Sequence, residues 1–292
     1  MTNDQTGTTP AAPATDFAPA AAPAPLPSLT AVTWLAWFSF REMSRRRVLV
    51  FLSLISLVPV LVVLAIRLWF ADVGVTPQMQ LTWLNHDIFL LFLVPVVAMF
   101  VGASAIGEQV VDGTIVFTWT RPIRRRAIYL GRLLAAQLVA ASVLCGSLML
   151  CFVIMLSNGL SILTWEFLRL YLQTLLIIVL GSFTYASVFA AMGTWFKKPV
   201  LPAIIFAFGW ENLVTNIPAR IQELSLRYHL QNLVERTEAP PEDLPGLLGA
   251  LLNTAFHRDP VPRWQSVLTL ATVGVVAAAI GVWILKHKEI DK

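Results

Sequence analysis

Charged and nucleophilic side chains are scarce in the apolar stretches of this chain, so each one found there is a candidate for chemistry. Glu211, beside Trp210, is the one acid expected inside the bilayer. A charge at the bilayer centre costs about 2.5–3.5 kcal/mol on insertion scales. Glu211 therefore either sits near the outer interface or serves a substrate path or helix contact. The four histidines, His86, His229, His257 and His287, fall in different links and form no cluster in the sequence. The His-Glu-x-x-His pattern of a zincin is missing, and so is any Gly-Lys pair, without which no P-loop can cradle phosphates. Cys145 and Cys151 share one apolar stretch and read as small buried hydrophobes, not as a disulfide or a thiolate site. A membrane-embedded enzyme would need a polar constellation within its spans, and the sequence offers none.

The stretch richest in usable side chains is polar and lies between two apolar ones, from Gly107 to Arg132. Glu108 closes the preceding apolar segment. Asp112, Gly113 and Thr114 make a turn, with Asp112 or Thr114 placed to cap the next helix. A short apolar helix over Ile115–Thr120 carries Ile115, Phe117 and Trp119. Arg121 follows, and Pro122 suits the first turn of a further helix bearing Arg124–Arg126. Apolar side chains between charged flanks are costly if left bare. Two readings stand open: a docking surface for another protein, or packing back onto the membrane interface or the bundle.

These residues need a scaffold, and composition says which kind. The chain is 57% hydrophobic and 13% charged, with a mean hydropathy of +0.71; soluble domains carry about 25% charged residues. The excess apolar surface must face lipid. A bilayer core about 30 Å thick needs about 20 apolar helical residues. Six such segments are expected: Val48–Phe70, Ile88–Ile106, Leu133–Leu156, Leu170–Met192, Val200–Val214 and Val267–Leu285. The fifth is short and ends in Trp210-Glu211-Asn212. Pro59, Pro95 and Pro202 lie in or near the starts of spans, where neighbouring helices can satisfy freed carbonyls.

The basic residues divide unevenly over the links. Fourteen fall on one side, including all five lysines, and seven on the other, spread over longer links. The positive-inside rule then puts both termini in the cytoplasm of a multi-pass protein of the cell (inner or plasma) membrane. Because the basic residues border apolar spans, the net charge of +4 points to headgroup contact and not to nucleic acid. Residues 1–27 hold eight Ala, six Pro and no Lys or Arg, which predicts a disordered cytoplasmic tail without a signal-peptide pattern. Leu29–Phe40, with Trp34, Trp37, Phe38 and Phe40 before Arg41–Arg47, predicts a helix on the interface, or else an ordinary basic flank. In the long outer link, Pro218–Val234 reads as a helix with a stripe of Ile221, Leu224, Tyr228 and Leu233, and Leu247–Phe256 as a second short helix.

Glu108, four residues, Gly113-Thr114, an apolar helix, Arg121-Pro122-Ile123-Arg124-Arg125 and Tyr129-Leu130-Gly131-Arg132 together resemble the ABC-2 type permeases of ABC transporters. Members share a pattern approximating Glu-x-x-x-x-Gly-Thr, a Pro-hydrophobic-Ser/Arg-Arg step and Leu-Gly-Lys before the third span; Arg132 here replaces the commoner lysine. The resemblance covers roughly Leu29–Lys292. It implies an all-α transmembrane domain over residues 28–292, with an interfacial helix at 29–47, six membrane helices and a helical outer link at 215–265. It also implies a second permease chain, identical or not, and two separate cytoplasmic ATPase subunits that hold the ATP and Mg, with no cofactor on this chain. Glu108, Asp112, Gly113, Thr114, Ile115, Phe117, Trp119, Arg121 and Pro122 would form the coupling contact. Trp195 and Phe196, in the short link Gly193–Pro199, would form a lesser one. The outer helices would cap a path between the two chains, with Glu211 as its one candidate lining residue. A non-transporting anchor of an ATPase-containing complex is the second reading, and a membrane enzyme the third.

Overall fold

The computed structural model describes residues 28–69, 77–111, 125–157, 164–196, 198–216, 220–234 and 261–287. Among them every regular element is helical. In chain order these are α1 (Ser28–Ser44), α2 (Arg47–Ile55), α3 (Val58–Trp69) and α4 (Pro77–Trp83), then a π-helical stretch Leu84–Leu93 that leads into α5 (Val94–Val111). They continue with α6 (Arg125–Leu156), α7 (Trp165–Trp195), α8 (Val200–Ile204), a second π-helical stretch Ile205–Trp210 and α9 (Glu211–Asn216). A 3-10 turn Arg220–Leu224, α10 (Leu226–Leu233) and α11 (Arg263–His287) complete the order. Lipid offers no partner to a bare N–H or C=O, so helix is the state that an apolar segment of this length must adopt. The tail 1–27, the coupling stretch 112–124 and the second outer helix expected at Leu247–Phe256 lie outside the described residues.

Among the described residues five helices are long and apolar enough to cross a membrane: Arg47–Leu68, Gln80–Gly107, Arg125–Leu156, Trp165–Trp195 and Arg263–His287. The segment expected as the fifth of six spans forms a shorter apolar helix, Val200–Trp210, which α9 extends. At 1.5 Å per residue the apolar part spans about 17 Å, against about 30 Å of hydrocarbon. Among the described residues length and apolarity thus give five spans, and the expected fifth of six falls short.

Two proline-linked irregularities appear where the sequence places them. The first span breaks at Ser56 and Leu57, whose N–H groups donate to Leu52 and Leu54, just before Pro59 in the first turn of α3. Across the interface the hydroxyl of Ser147 in α6 donates to the Ser56 carbonyl at 2.5 Å. A neighbouring helix thus satisfies a backbone group at the break. The π-helical stretch Leu84–Leu93 ends directly before Val94-Pro95, where the proline ring would crowd the carbonyl four residues back in a regular helix.

The Gln80–Gly107 span is the most enclosed, being 72% buried, whereas Arg47–Leu68 and α11 are only 28% buried and form the rim of the bundle. Small residues set its contact with α7. A Cβ on Gly102 would lie 2.7 Å from the Ala186 carbonyl oxygen, and one on Gly193 would lie 2.9 Å from that of Ala103. Without a hydrophobic force between helices in lipid, such close backbone approach supplies the van der Waals contact that holds them. Polar ties supplement it: Gln137 of α6 donates to Ser182 of α7 at 2.9 Å, and Thr184 of α7 to the Leu270 carbonyl of α11 at 3.2 Å.

The helical outer link is confirmed in part and corrected in detail. The expected Pro218–Val234 helix is divided into the 3-10 turn Arg220–Leu224 and α10, with Ser225 as N-cap accepting from the Tyr228 N–H. The buried face of α10 is Leu226, His229, Leu230, Asn232 and Leu233, while Leu224 is exposed and Tyr228 half-buried. Leu230 rests on Gly181, about half-way along α7, and the Gln173 side chain donates to the Leu233 carbonyl at 2.9 Å. So α10 packs into the bundle, against α7, α11 and the Leu84–Leu93 stretch.

Candidate functional site

One end of the bundle gathers the described basic residues Arg45, Arg47, Arg125, Arg126, Lys198 and Lys286, and both candidate coupling links hang from it. The motif Tyr129-Leu130-Gly131-Arg132 shows how that end is built. Tyr129 is fully buried with its ring in the notch left by Gly281 of α11, where any Cβ would overlap the phenol. Leu130 faces outward. Gly131 admits α1: a Cβ there would lie 3.0 Å from Leu35 Cβ and 3.1 Å from the Val32 carbonyl. Arg132 is 7% exposed, and its Nη1 donates to the Ala105 carbonyl at 2.9 Å. Its Nη2 lies 3.8 Å from Glu42 of α1, a carboxylate that also pairs with Arg46 at 2.6 Å. Arg125 donates to the Lys286 carbonyl at 3.2 Å. Three of these four consecutive residues thus bind α6 to α11, α1 and the Gln80–Gly107 span, while Leu130 points away from the bundle.

The first link is rooted in α5, whose helix continues through Glu108 to Val111. Asp112, Gly113, Thr114, Ile115, Phe117, Trp119, Arg121 and Pro122 lie outside the described residues. The second link is described except for residue 197. Helix α7 stops when Phe196 turns extended, with its N–H still donating to Met192 at 2.9 Å. Trp195 and Phe196 stack with ring centroids 6.2 Å apart and are 69% and 43% exposed. The chain then folds back so that the Pro199 ring lies 2.9 Å from where a Gly107 Cβ would stand. The two link roots therefore touch.

Glu211 is remote from this face. It is 1% exposed, and its carboxylate accepts from the Ser225 hydroxyl at 2.5 Å and from the N–H groups of Arg227 at 3.0 Å and Leu226 at 3.2 Å. An anion at a helix N-terminus satisfies otherwise orphaned donors and meets the positive end of the helix dipole. Around it, His229 Nε2 donates to the Glu223 carbonyl at 2.9 Å, and its Nδ1 lies 3.3 Å from the Ser266 hydroxyl. Asn232 donates to Ser266 at 3.0 Å and to the Val261 carbonyl. Burial pulls the Arg227 guanidinium below its ordinary value, and the nearby carboxylates of Glu211 and Asp87 oppose that shift.

Asp87 falls outside the second apolar segment expected from hydropathy, Ile88–Ile106. The second span begins at Gln80 and not at Ile88, so Asn85, His86 and Asp87 belong to the helix, and Glu211 is not the one acid within the apolar bundle. His86 Nδ1 and Asp87 Oδ1 are 2.8 Å apart, and Asn85 is buried. Among the described residues no group of three or more His, Cys, Asp or Glu side chains is placed to hold a metal ion. Among the described residues the arrangement is one of helix ties and link roots.

The profile of the family described as ABC-2 family transporter protein matches residues 40–210, more than half of the chain. The chain belongs to that ABC-2 transporter family. No curated relative matches it. The matched region of this ABC-2 protein takes in the Tyr129–Arg132 motif, both link roots and the Val200–Trp210 helix, while Glu211, α10 and α11 lie beyond it. Membership makes the chain a multi-pass membrane transport subunit, the permease part of an ABC transporter.

Proposed function

We propose that this ABC-2 permease couples ATP hydrolysis on separate ATPase subunits to export across the cell membrane, paired with a second permease chain, identical or different. Both termini and both links at the basic end face the cytoplasm in this reading, because that end carries the arginine and lysine excess. The ATP and Mg belong to the partner ATPase. The observation that supports it best is the joined pair of link roots. The stacked, exposed Trp195 and Phe196 stand beside the root of the Glu108–Pro122 link, on a frame that Arg132, Gly131 and Tyr129 bind to three other elements. An exposed apolar surface of this kind is costly in water and suits a protein partner.

The test is association. Gly113→Pro, and separately Ile115→Asp combined with Phe117→Asp, are expected to abolish co-purification with the ATP-binding subunit while the chain still reaches the membrane. Retention of that subunit by both variants would contradict the coupling assignment.

A further inference from the structure

Gly107 and Gly193 stand at the ends of the two helices from which the links emerge, and three contacts close that junction. A Gly107 Cβ would meet Pro199 Cγ at 2.9 Å and Gly193 O at 3.4 Å; a Gly193 Cβ would meet the Ala103 carbonyl oxygen at 2.9 Å and Gly107 N at 3.4 Å. Both glycines are buried. The contact has one partner from each link: Gly107 lies one residue before Glu108, and Pro199 closes the short link after Trp195 and Phe196. Two residues before Gly107, the Ala105 carbonyl accepts from buried Arg132, so the far root of the first link is tied to the same point. Several other glycines of the bundle also sit at close approaches, but Gly107 and Gly193 are the pair that faces each other across the two links; Gly146 has nothing within 4 Å of its Cβ position and serves as the control.

We infer that Gly107 and Pro199 are positioning residues forming a rigid joint, by which the two links move as one body when the partner ATPase pulls on either. This rests on the coupling reading above and goes beyond it, since that reading asks only that both links touch the ATPase. Close-packed glycine backbone cannot slide by a fraction of an ångström without a clash, so a displacement delivered at Trp195 and Phe196 reaches the Glu108 root undiminished. The fit is reciprocal. A methyl on Gly107 needs the room that the Pro199 ring now fills, and loss of that ring leaves a gap only such a methyl can fill.

The joint is tested by locking it and by loosening it, in a chain carrying Cys145→Ala and Cys151→Ala. Gly107→Cys with Pro199→Cys is expected to form a disulfide on oxidation in native membranes, with no ATPase required. In lipid vesicles holding the co-purified ATP-binding subunit, the oxidised and reduced forms should hydrolyse ATP at equal rates, because a joint that never opens is unaffected by a lock. Gly107→Ala should lower permease-stimulated hydrolysis by about threefold or more while the complex still assembles. Adding Pro199→Ala to it should restore the rate, and Gly146→Ala should have no effect. Failure of the disulfide to form, inhibition by the lock, or a double alanine variant no better than Gly107→Ala would each overturn the joint. If the unaltered chain retains no ATP-binding subunit, the coupling reading fails, and the disulfide in membranes still decides whether the contact exists.

Discussion

Arg132 reaches across from α6 to donate to the backbone carbonyl of Ala105 at 2.9 Å, from a site almost closed to solvent. The bond fixes the two helices that bracket the first link, and it is made to a backbone atom, so no substitution at position 105 removes it. Arg132→Met is expected to cost roughly 1.5–3 kcal/mol, the range for a hydrogen bond involving a charged group, read as a lower unfolding midpoint in detergent. Arg132→Lys should recover part of that, since one ammonium can meet the carbonyl but lacks the fork that also reaches toward Glu42. Glu42→Gln should cost under about 1 kcal/mol, because that pair is longer and half-open to solvent.

Tyr129 and Gly281 form a second reciprocal pair. Gly281→Ala is expected to destabilise by about 1–3 kcal/mol through overpacking against the phenol. The Tyr129 hydroxyl is buried without a hydrogen-bond partner among the described residues. Tyr129→Phe should therefore be neutral or stabilising, and it should relieve part of the Gly281→Ala defect. Thermal melts of the two single variants and the double variant give the coupling directly.

Glu211→Ala would strip the acceptor from one hydroxyl and two N–H groups at the start of α10. Each buried donor left unpaired costs roughly 1–3 kcal/mol, so α10 should loosen. Hydrogen exchange of the Leu226–Leu233 amides is expected to accelerate at least tenfold. Loss of transport with unchanged exchange would instead assign the carboxylate to the substrate path.

Ser147→Ala should cost about 0.6 kcal/mol, the average for an interhelical hydrogen bond in a membrane, by leaving the Ser56 carbonyl at the first-span break without its donor. Pro59→Ala in the same chain should reduce the loss, because a straighter helix needs less help from its neighbour.

Hydropathy made four spans legible to within a few residues at their apolar cores. Their ends were less so: α6 begins at Arg125 and not Leu133, and α7 at Trp165 and not Leu170, because a helix continues past the lipid wherever its backbone bonds do. The expected second span starts at Ile88 because Asn85, His86 and Asp87 interrupt the apolar run; the helix nevertheless continues through that turn, with Asn85 buried and His86 and Asp87 partly exposed. The short fifth segment was visible in its length, but the seating of α10 on Gly181 depends on a contact between distant parts of the chain. The Tyr129–Arg132 motif could be recognised in the sequence as a pattern. Its partners Gly281, Leu35 and Ala105 could not, since one sequence carries no record of which helices meet.

The central claim is that this chain transmits ATP hydrolysis from a separate subunit through its basic end. The most direct measurement is ATP hydrolysis in lipid vesicles by whatever ATP-binding subunit the chain retains from its membrane, compared between the unaltered chain and Trp195→Asp with Phe196→Asp. The account predicts that a separate ATP-binding subunit is retained and that hydrolysis depends on the permease. It also predicts that the aspartate pair lowers that rate by about threefold or more without loss of the chain from the bilayer. No retained ATP-binding subunit, or a hydrolysis rate indifferent to both the chain and the substitutions, would contradict it.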